Sequence, residues 1–398
     1  MALTVWGIPS FWRIVGARAV STAGTMMQVT AAGWYILHQT DSATAVGVLA
    51  ALTFAPAVVG ANVGGWLADK YDAQRLSALL FGLQAIPPIV LGILAWNSDL
   101  PIPVLFIGVF LGAIPNALAS PVAALVPPLV APEKLRPQVI AYSSIAYNCG
   151  RVVGPVIGAM LVAGLGVGSA FLINGLTYVV VAWAYLTAKL VRKPTQRAGN
   201  SELKKYREDV QRGWAFRETR IAFVSSVFFF ALVVPIQQLM PTLASDRGEE
   251  IGNLGVMLVA LALGGVACNP IIVRLIKAGR SHGSLINLGL LIGGPSLMMM
   301  GVSTSLAMDM VCLFFIGMAW ECLWVASQSS LMLKLPEELT GRIVGLYFSI
   351  VTLCIAIGSL LLGMLFDLLG TRAPLIVMGL FVLGYGIAGV VKLRRVRV

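Results

Sequence analysis

The chain has 398 residues, 58% of them hydrophobic and only 11% charged, with a formal net charge of +11. A soluble domain carries about 25% charged residues, so this chain could not cover a water-facing surface, and lipid must solvate most of it. In that setting the positive charge does not point to nucleic acid, and its placement along the chain matters more than its sum.

A span needs roughly 20 apolar residues. Twelve are expected, over 11–37, 43–68, 76–96, 101–121, 139–163, 168–190, 220–244, 251–273, 284–303, 306–328, 342–366 and 372–391. The breaks between them carry turn and charge signals, among them Asp69–Arg75, Pro132–Gln138, Asp246–Glu250 and Arg274–Gly283. With the N-terminus inside, the outer loops hold only Arg247 and Arg372, and 24 of the other 26 basic residues fall in inner loops, tails or helix ends. The Lys/Arg bias therefore places both termini in the cytoplasm, with the Lys392, Arg394, Arg395, Arg397 tail beside anionic lipid.

The only long polar stretch lies between the sixth and seventh spans. It gives an N-terminal six-helix bundle over 1–188, a cytoplasmic linker over 189–219 and a C-terminal six-helix bundle over 220–398. Leu203, Tyr206, Val210 and Trp214 recur at helical spacing in the linker, the pattern of an amphipathic helix on the inner leaflet. It serves either as a plain connector or as a regulatory or partner site. The two halves also resemble each other. Pro132-Glu133-Lys134-Leu135 and Pro336-Glu337-Glu338-Leu339 stand 204 residues apart, and the same offset sets Gly154 on Gly358. Repeated bundles are how alternating-access carriers are built, with the binding site near the midplane.

Several catalytic chemistries are disfavoured. Cys149, Cys268, Cys312, Cys322 and Cys354 lie in apolar runs without metal spacing and read as small buried hydrophobes. His38 and His282 fall in expected loops, which argues against a histidine metal or nucleophile site, and no phosphate-binding G-x-x-x-x-G-K-[ST] loop is present. No metal and no cofactor is expected.

After the second span the chain reads Gly65-Trp66-Leu67-Ala68-Asp69-Lys70-Tyr71-Asp72-Ala73-Gln74-Arg75. This resembles the G-x-L-A-D-[RK]-x-G-[RK]-[RK] signature of the major facilitator superfamily, with Asp72 in place of a glycine and one basic residue missing. The resemblance implies an inner gate built from Gly65, Asp69, Lys70 and Arg75, with Asp69 its key acid. The fifth span contains Gly150, Gly154, Pro155 and Gly158 in the order of the superfamily's exporter motif, G-x-x-x-G-P-x-x-G-G, with Ala159 in the last place. Its glycine stripe allows close helix contact and its proline bends the backbone. Thr40-Asp41-Ser42, Arg207–Gly213 and Gly341–Tyr347 look like the bacterial branch of enterobactin exporters and macrolide-type efflux proteins. The resemblance implies an all-α fold of twelve transmembrane helices in two pseudo-repeats. It also implies a multi-pass place in a bacterial cytoplasmic (inner) membrane and proton-coupled export by alternating access. The partners it implies are an amphipathic small molecule, protons and lipid, with no nucleic acid, and the chain is expected as a monomer. The arginine signature of the fourth helix and the first-helix acid of many drug/proton antiporters are absent.

A charge inside a bilayer is costly, so such residues mark function by default. Arg151 and Glu321 sit well inside expected spans. Arg18 either belongs to the first span or snorkels to the inner surface, while Asp309 and Asp367 fall near the outer boundary and are expected to be solvated. At 100° per residue, Ser144, Tyr147, Asn148 and Arg151 share one face, as do Gly317, Trp320, Glu321, Trp324 and Gln328. Such faces look into a cavity or bond neighbouring helices. Thr25, Gln28 and Gln237 join the candidate substrate cavity. Aromatic rings beside a carboxylate suit an apolar cation, whereas Arg151 suits an anion. Glu321 is either the proton-coupling group or the partner of Arg151 in a structural ion pair. An uptake or lipid carrier of the same fold, a non-transporting receptor and an intramembrane enzyme are the competing readings. The enzyme needs a nucleophile and base facing each other, which a chain with no histidine in a span and one mid-span carboxylate does not offer.

Overall fold

The computed structural model describes residues 5–97, 99–191, 203–248 and 251–395. Its helices are α1 (Pro9–Thr40), α2 (Ala43–Phe54), α3 (Ala57–Lys70), α4 (Ala73–Asn97), α5 (Ile102–Ala124), α6 (Arg136–Leu165), α7 (Val167–Thr187), α8 (Leu203–Ala215), α9 (Arg217–Leu232), α10 (Pro235–Gln238), α11 (Met240–Asp246), α12 (Ile251–Lys277), α13 (His282–Val302), α14 (Leu306–Lys334), α15 (Glu337–Leu369) and α16 (Arg372–Arg395). Helix satisfies every backbone polar group within the segment, as hydrocarbon requires. Among the described residues eleven helical stretches are long and apolar enough to cross a membrane. The first expected span is not one of them. Its helix α1 has 32 residues, about 48 Å at 1.5 Å per residue, but Ser21, Thr22, Thr25, Gln28 and Thr30 dilute its apolar character.

Two expected spans are broken. The second stops at Phe54 and resumes at Ala57, with Pro56 just before the new start. The seventh is divided into α9, α10 and α11, with Pro235 and Pro241 near the new starts. Proline removes an N–H and clashes with the preceding turn. His38 and His282, expected in loops, instead lie in the last turn of α1 and at the first position of α13.

Contacts divide the chain into two compact units, one of Met1–His38 with Leu52–Asn200 and the other of Gln39–Ala51 with Ser201–Val398. The segment Gln39–Ala51, which opens the second expected span, groups with the C-terminal half. In the first unit a Cβ on Gly154 would strike Ala23, with Met26 Cβ at 2.8 Å, so α6 lies directly on α1. In the second unit a Cβ on Gly358 would strike Ala231, with Pro235 Cγ at 2.8 Å, so α15 lies on α9. Two glycines paired by the 204-residue offset thus make the same kind of contact, each in its own unit.

The linker holds the helix expected of it, α8. Among its described side chains Asp209 and Gly213 are buried, Val210 is half-buried, and Trp214 is 44% exposed and meets Phe223 edge-on at 5.6 Å. Asp209 forms an ion pair with Arg342, and Gly213 abuts Ile343, both at the start of α15. The side chains of Leu203 and Tyr206, linker residues 192–202 and the side chains of the basic tail from Lys392 onward lie outside what the structure describes.

Candidate functional site

The α6 stripe of Gly150, Gly154 and Gly158 contacts α1 at Ala19, Ala23 and Met27. That contact turns the next face of α6 away from α1. Ser144 and Tyr147 on that face are exposed, Tyr147 by 47%, and Asn148 and Arg151 are half-buried. The Ser144 hydroxyl and the Asn148 amide donate to the carbonyls of Ile140 and Ser144, four residues back on their own helix. Cys149, expected as a buried hydrophobe, is exposed on a different face of α6 from Arg151.

Thr25 and Gln28 of α1 turn to α7. The Thr25 hydroxyl lies 2.8 Å from Tyr178 Oη, and Asn174 donates its amide to Gln28 at 2.5 Å. Arg18 donates to Tyr185 Oη at 3.2 Å, which holds it within the unit instead of reaching for the membrane surface. Both Tyr178 and Tyr185 are buried. These contacts form a polar seam between α1 and α7.

In the second unit, α14 carries Glu321 and two tryptophans. Trp320 and Trp324 meet Phe230 of α9 edge-on at 6.1 and 5.7 Å, and Trp324 meets Phe348 of α15 at 5.2 Å. Glu321, 100° further round, leans toward α12, its Oε2 3.9 Å from where a Cβ on Gly265 would stand. One turn earlier Gly317 abuts Leu261 so closely that α12 and α14 touch backbone to backbone. Gln328 is half-buried. Gln237, between the breaks at Pro235 and Pro241, has a buried Oε1 with no hydrogen-bond partner among the described residues.

The region of the expected inner gate is polar and open. Asp69, Lys70 and Arg75 are exposed, and the Lys70 ammonium lies 5.1 Å from the Trp66 ring centroid. Space is open around Gly65; the tight glycines are Gly60 and Gly64, against Ala117 and Leu118 of α5. Asp72, in the signature's glycine place, accepts the Arg75 backbone N–H at 2.9 Å and caps α4.

Of the two acids expected to be solvated, Asp309 is not. Asp309 is fully buried and pairs with Arg247 at 2.8 Å; Arg247 also donates to the Met300 carbonyl at 2.8 Å. Hydropathy placed Asp309 at a span edge, but α14 begins at Leu306 and folds it under the Asp246–Gly248 turn. Asp309→Ala is expected to cost roughly 3–5 kcal/mol, because it leaves a buried guanidinium without its counter-charge. A lower melting temperature in detergent, partly recovered by adding Arg247→Leu, checks this. Asp367, the second acid, is exposed as expected, and its carboxylate also accepts three hydrogen bonds at the start of α2.

The model of the Major Facilitator Superfamily matches residues 14–359. The chain belongs to the major facilitator superfamily. Macrolide efflux protein A of Streptococcus pyogenes is 24% identical over 373 residues, covering 91% of this chain and 90% of that protein. Enterobactin exporter EntS of Escherichia coli is 26% identical over 370 residues, covering 89% of this chain and 85% of that protein. The fold matches the crystal structure of a bacterial homologue of the human lysosomal transporter Spinster, in an inward-facing and unoccupied conformation. That match has a TM-score of 0.75 at 15% identity and covers 96% of each chain. The chain is thus an all-α, multi-pass membrane transporter of small molecules and not an enzyme, as its major facilitator motifs implied.

Proposed function

We propose that this major facilitator protein exports amphipathic small molecules from a bacterial cell across the cytoplasmic membrane, as a monomer, by proton-coupled alternating access. The observation that carries the reading is similarity along about nine-tenths of the chain to a macrolide efflux protein and an enterobactin exporter. The substrate-facing groups are the Ser144, Tyr147, Asn148 and Arg151 face of α6 and the Trp320, Trp324 and Gln328 face of α14, with Gln237. Thr25 and Gln28, held in the α1–α7 seam, orient α1 behind the first of these. Tryptophan rings suit a large apolar ligand, Arg151 a ligand anion and Glu321 a ligand cation or a proton. Twelve crossings with both termini and the linker in the cytoplasm complete the reading, since the Lys/Arg bias is strongest that way round.

The test is transport. Cells overexpressing the protein are expected to tolerate several-fold higher concentrations of macrolides or other bulky amphipathic drugs and to accumulate less of them, with the effect lost when the proton gradient is collapsed. Greater accumulation on overexpression would establish uptake. No change across a broad panel, with the protein present in the membrane, would remove the export reading.

A further inference from the structure

Helix α2 starts under a carboxylate that lies more than 320 residues away in the chain. Asp367, in the last turn of α15, accepts the backbone N–H of Ala43 at 2.7 Å, the N–H of Thr44 at 2.9 Å and the Ser42 hydroxyl at 2.8 Å. Ser42 Oγ in turn accepts the Ala45 N–H at 3.2 Å. The first turn of a helix has N–H groups without intrahelical partners and the positive end of the macrodipole, and Asp367 meets both needs. The backbones are close enough for this to work. A Cβ on Gly363 would strike Ala43, with Thr44 Cα at 3.1 Å, and a Cβ on Gly47 would lie 2.5 Å from the Ser359 carbonyl oxygen. The segment Gln39–Ala51 groups with Ser201–Val398 and not with the rest of the N-terminal half. Four residues beyond Ala51 the helix breaks at Ala55-Pro56, and α3 belongs to the other unit.

We propose that Asp367 is a positioning residue of the transport cycle: its carboxylate clamps the start of α2 onto α15, and the clamp must open whenever α2 leaves α15, with the Ala55-Pro56 break as the hinge. The inference rests on the alternating-access reading above. Three hydrogen bonds to one carboxylate give the clamped arrangement a definite geometry. The glycine contacts alone would let α2 slide along α15. Glutamate can reach the same N–H groups from the same helix position, whereas alanine removes all three bonds and asparagine removes the charge that favours a helix N-terminus.

The experiment measures maleimide labelling of a single cysteine placed at Ala43, in purified protein lacking its five native cysteines. Ala43 is 3% exposed under Gly363 and becomes reachable when α2 leaves α15. Asp367→Ala is expected to raise the labelling rate about tenfold, the size of a lost helix cap. Asp367→Asn should fall between, and Asp367→Glu should restore the wild-type rate and wild-type transport. A control cysteine at Ala170, fully buried on α7 in the other unit, should label equally slowly in every variant. A rate within twofold of wild type in Asp367→Ala, or a parallel rise at Ala170 reporting general loosening, overturns the proposal. Labelling needs no substrate, so a failed export assay would count against the proposed function and leave the result at Ala43 to be read by itself.

Discussion

Glu321→Gln is expected to abolish accumulation driven by a pH gradient while leaving downhill exchange of a neutral substrate intact. A one-unit gradient stores 1.36 kcal/mol per proton, enough for about a tenfold concentration ratio, and that ratio should fall to about one. Glu321 lies at mid-helix on α14, beside the glycine-lined contact with α12, and is neither at a helix end nor beside a loop. Trp320 and Trp324 stand next to it on the same helix and pack on aromatic rings of α9 and α15, so under the proposed function substrate and proton would share one neighbourhood. Glutamine keeps the shape and the capacity to hydrogen-bond but cannot release a proton. A structural role for Glu321 predicts instead a loss of stability with coupling unchanged in the surviving protein. Flux into proteoliposomes with and without an imposed pH gradient separates the two. Uphill transport at the wild-type ratio in Glu321→Gln would sink the coupling role.

Gly154→Leu should cost the protein its fold in the membrane. A Cβ alone would meet Ala23 of α1 and stand 2.8 Å from Met26 Cβ. Much of what it strikes is backbone, which cannot move aside as the end of a flexible side chain can. Even Gly154→Ala must push the two helices apart along the whole Gly150–Gly158 stripe, since the stripe has three such contacts in a row. Overpacking typically costs about 1–3 kcal/mol for a few added methylenes, and a leucine against backbone exceeds that range. The expected outcome is a graded loss of monodisperse protein on size-exclusion chromatography, mild for alanine and nearly complete for leucine. Gly65→Ala, where a Cβ has open space, is the matched control and should purify normally. Equal yields for Gly154→Leu and Gly65→Ala would show that α1 and α6 are not held as described.

Membrane class, the order of the helices and the kinship of the two halves follow from the sequence alone. Hydrocarbon admits few charges and only internally bonded backbone, so apolar runs of the right length declare themselves without any knowledge of packing. The Gly154–Gly358 offset is legible for a related reason: a close helix contact can be met by very few residue types, so the repeat preserves a visible letter. Local composition could not decide what the acids near span ends bind. Asp309 and Asp367 both sit near span ends, yet one is buried against Arg247 and the other caps a helix more than 320 residues away. Those pairings depend on where remote helix ends arrive. The same holds for the linker, where Asp209 finds Arg342 only once α8 lies on α15. It holds again for Thr25 and Gln28, whose partners Tyr178 and Asn174 are known only once α1 lies on α7. Sequence sets each helix and its faces because period and solvent act locally; tertiary structure decides which face meets which, because a charge or a glycine takes its meaning from what packs against it.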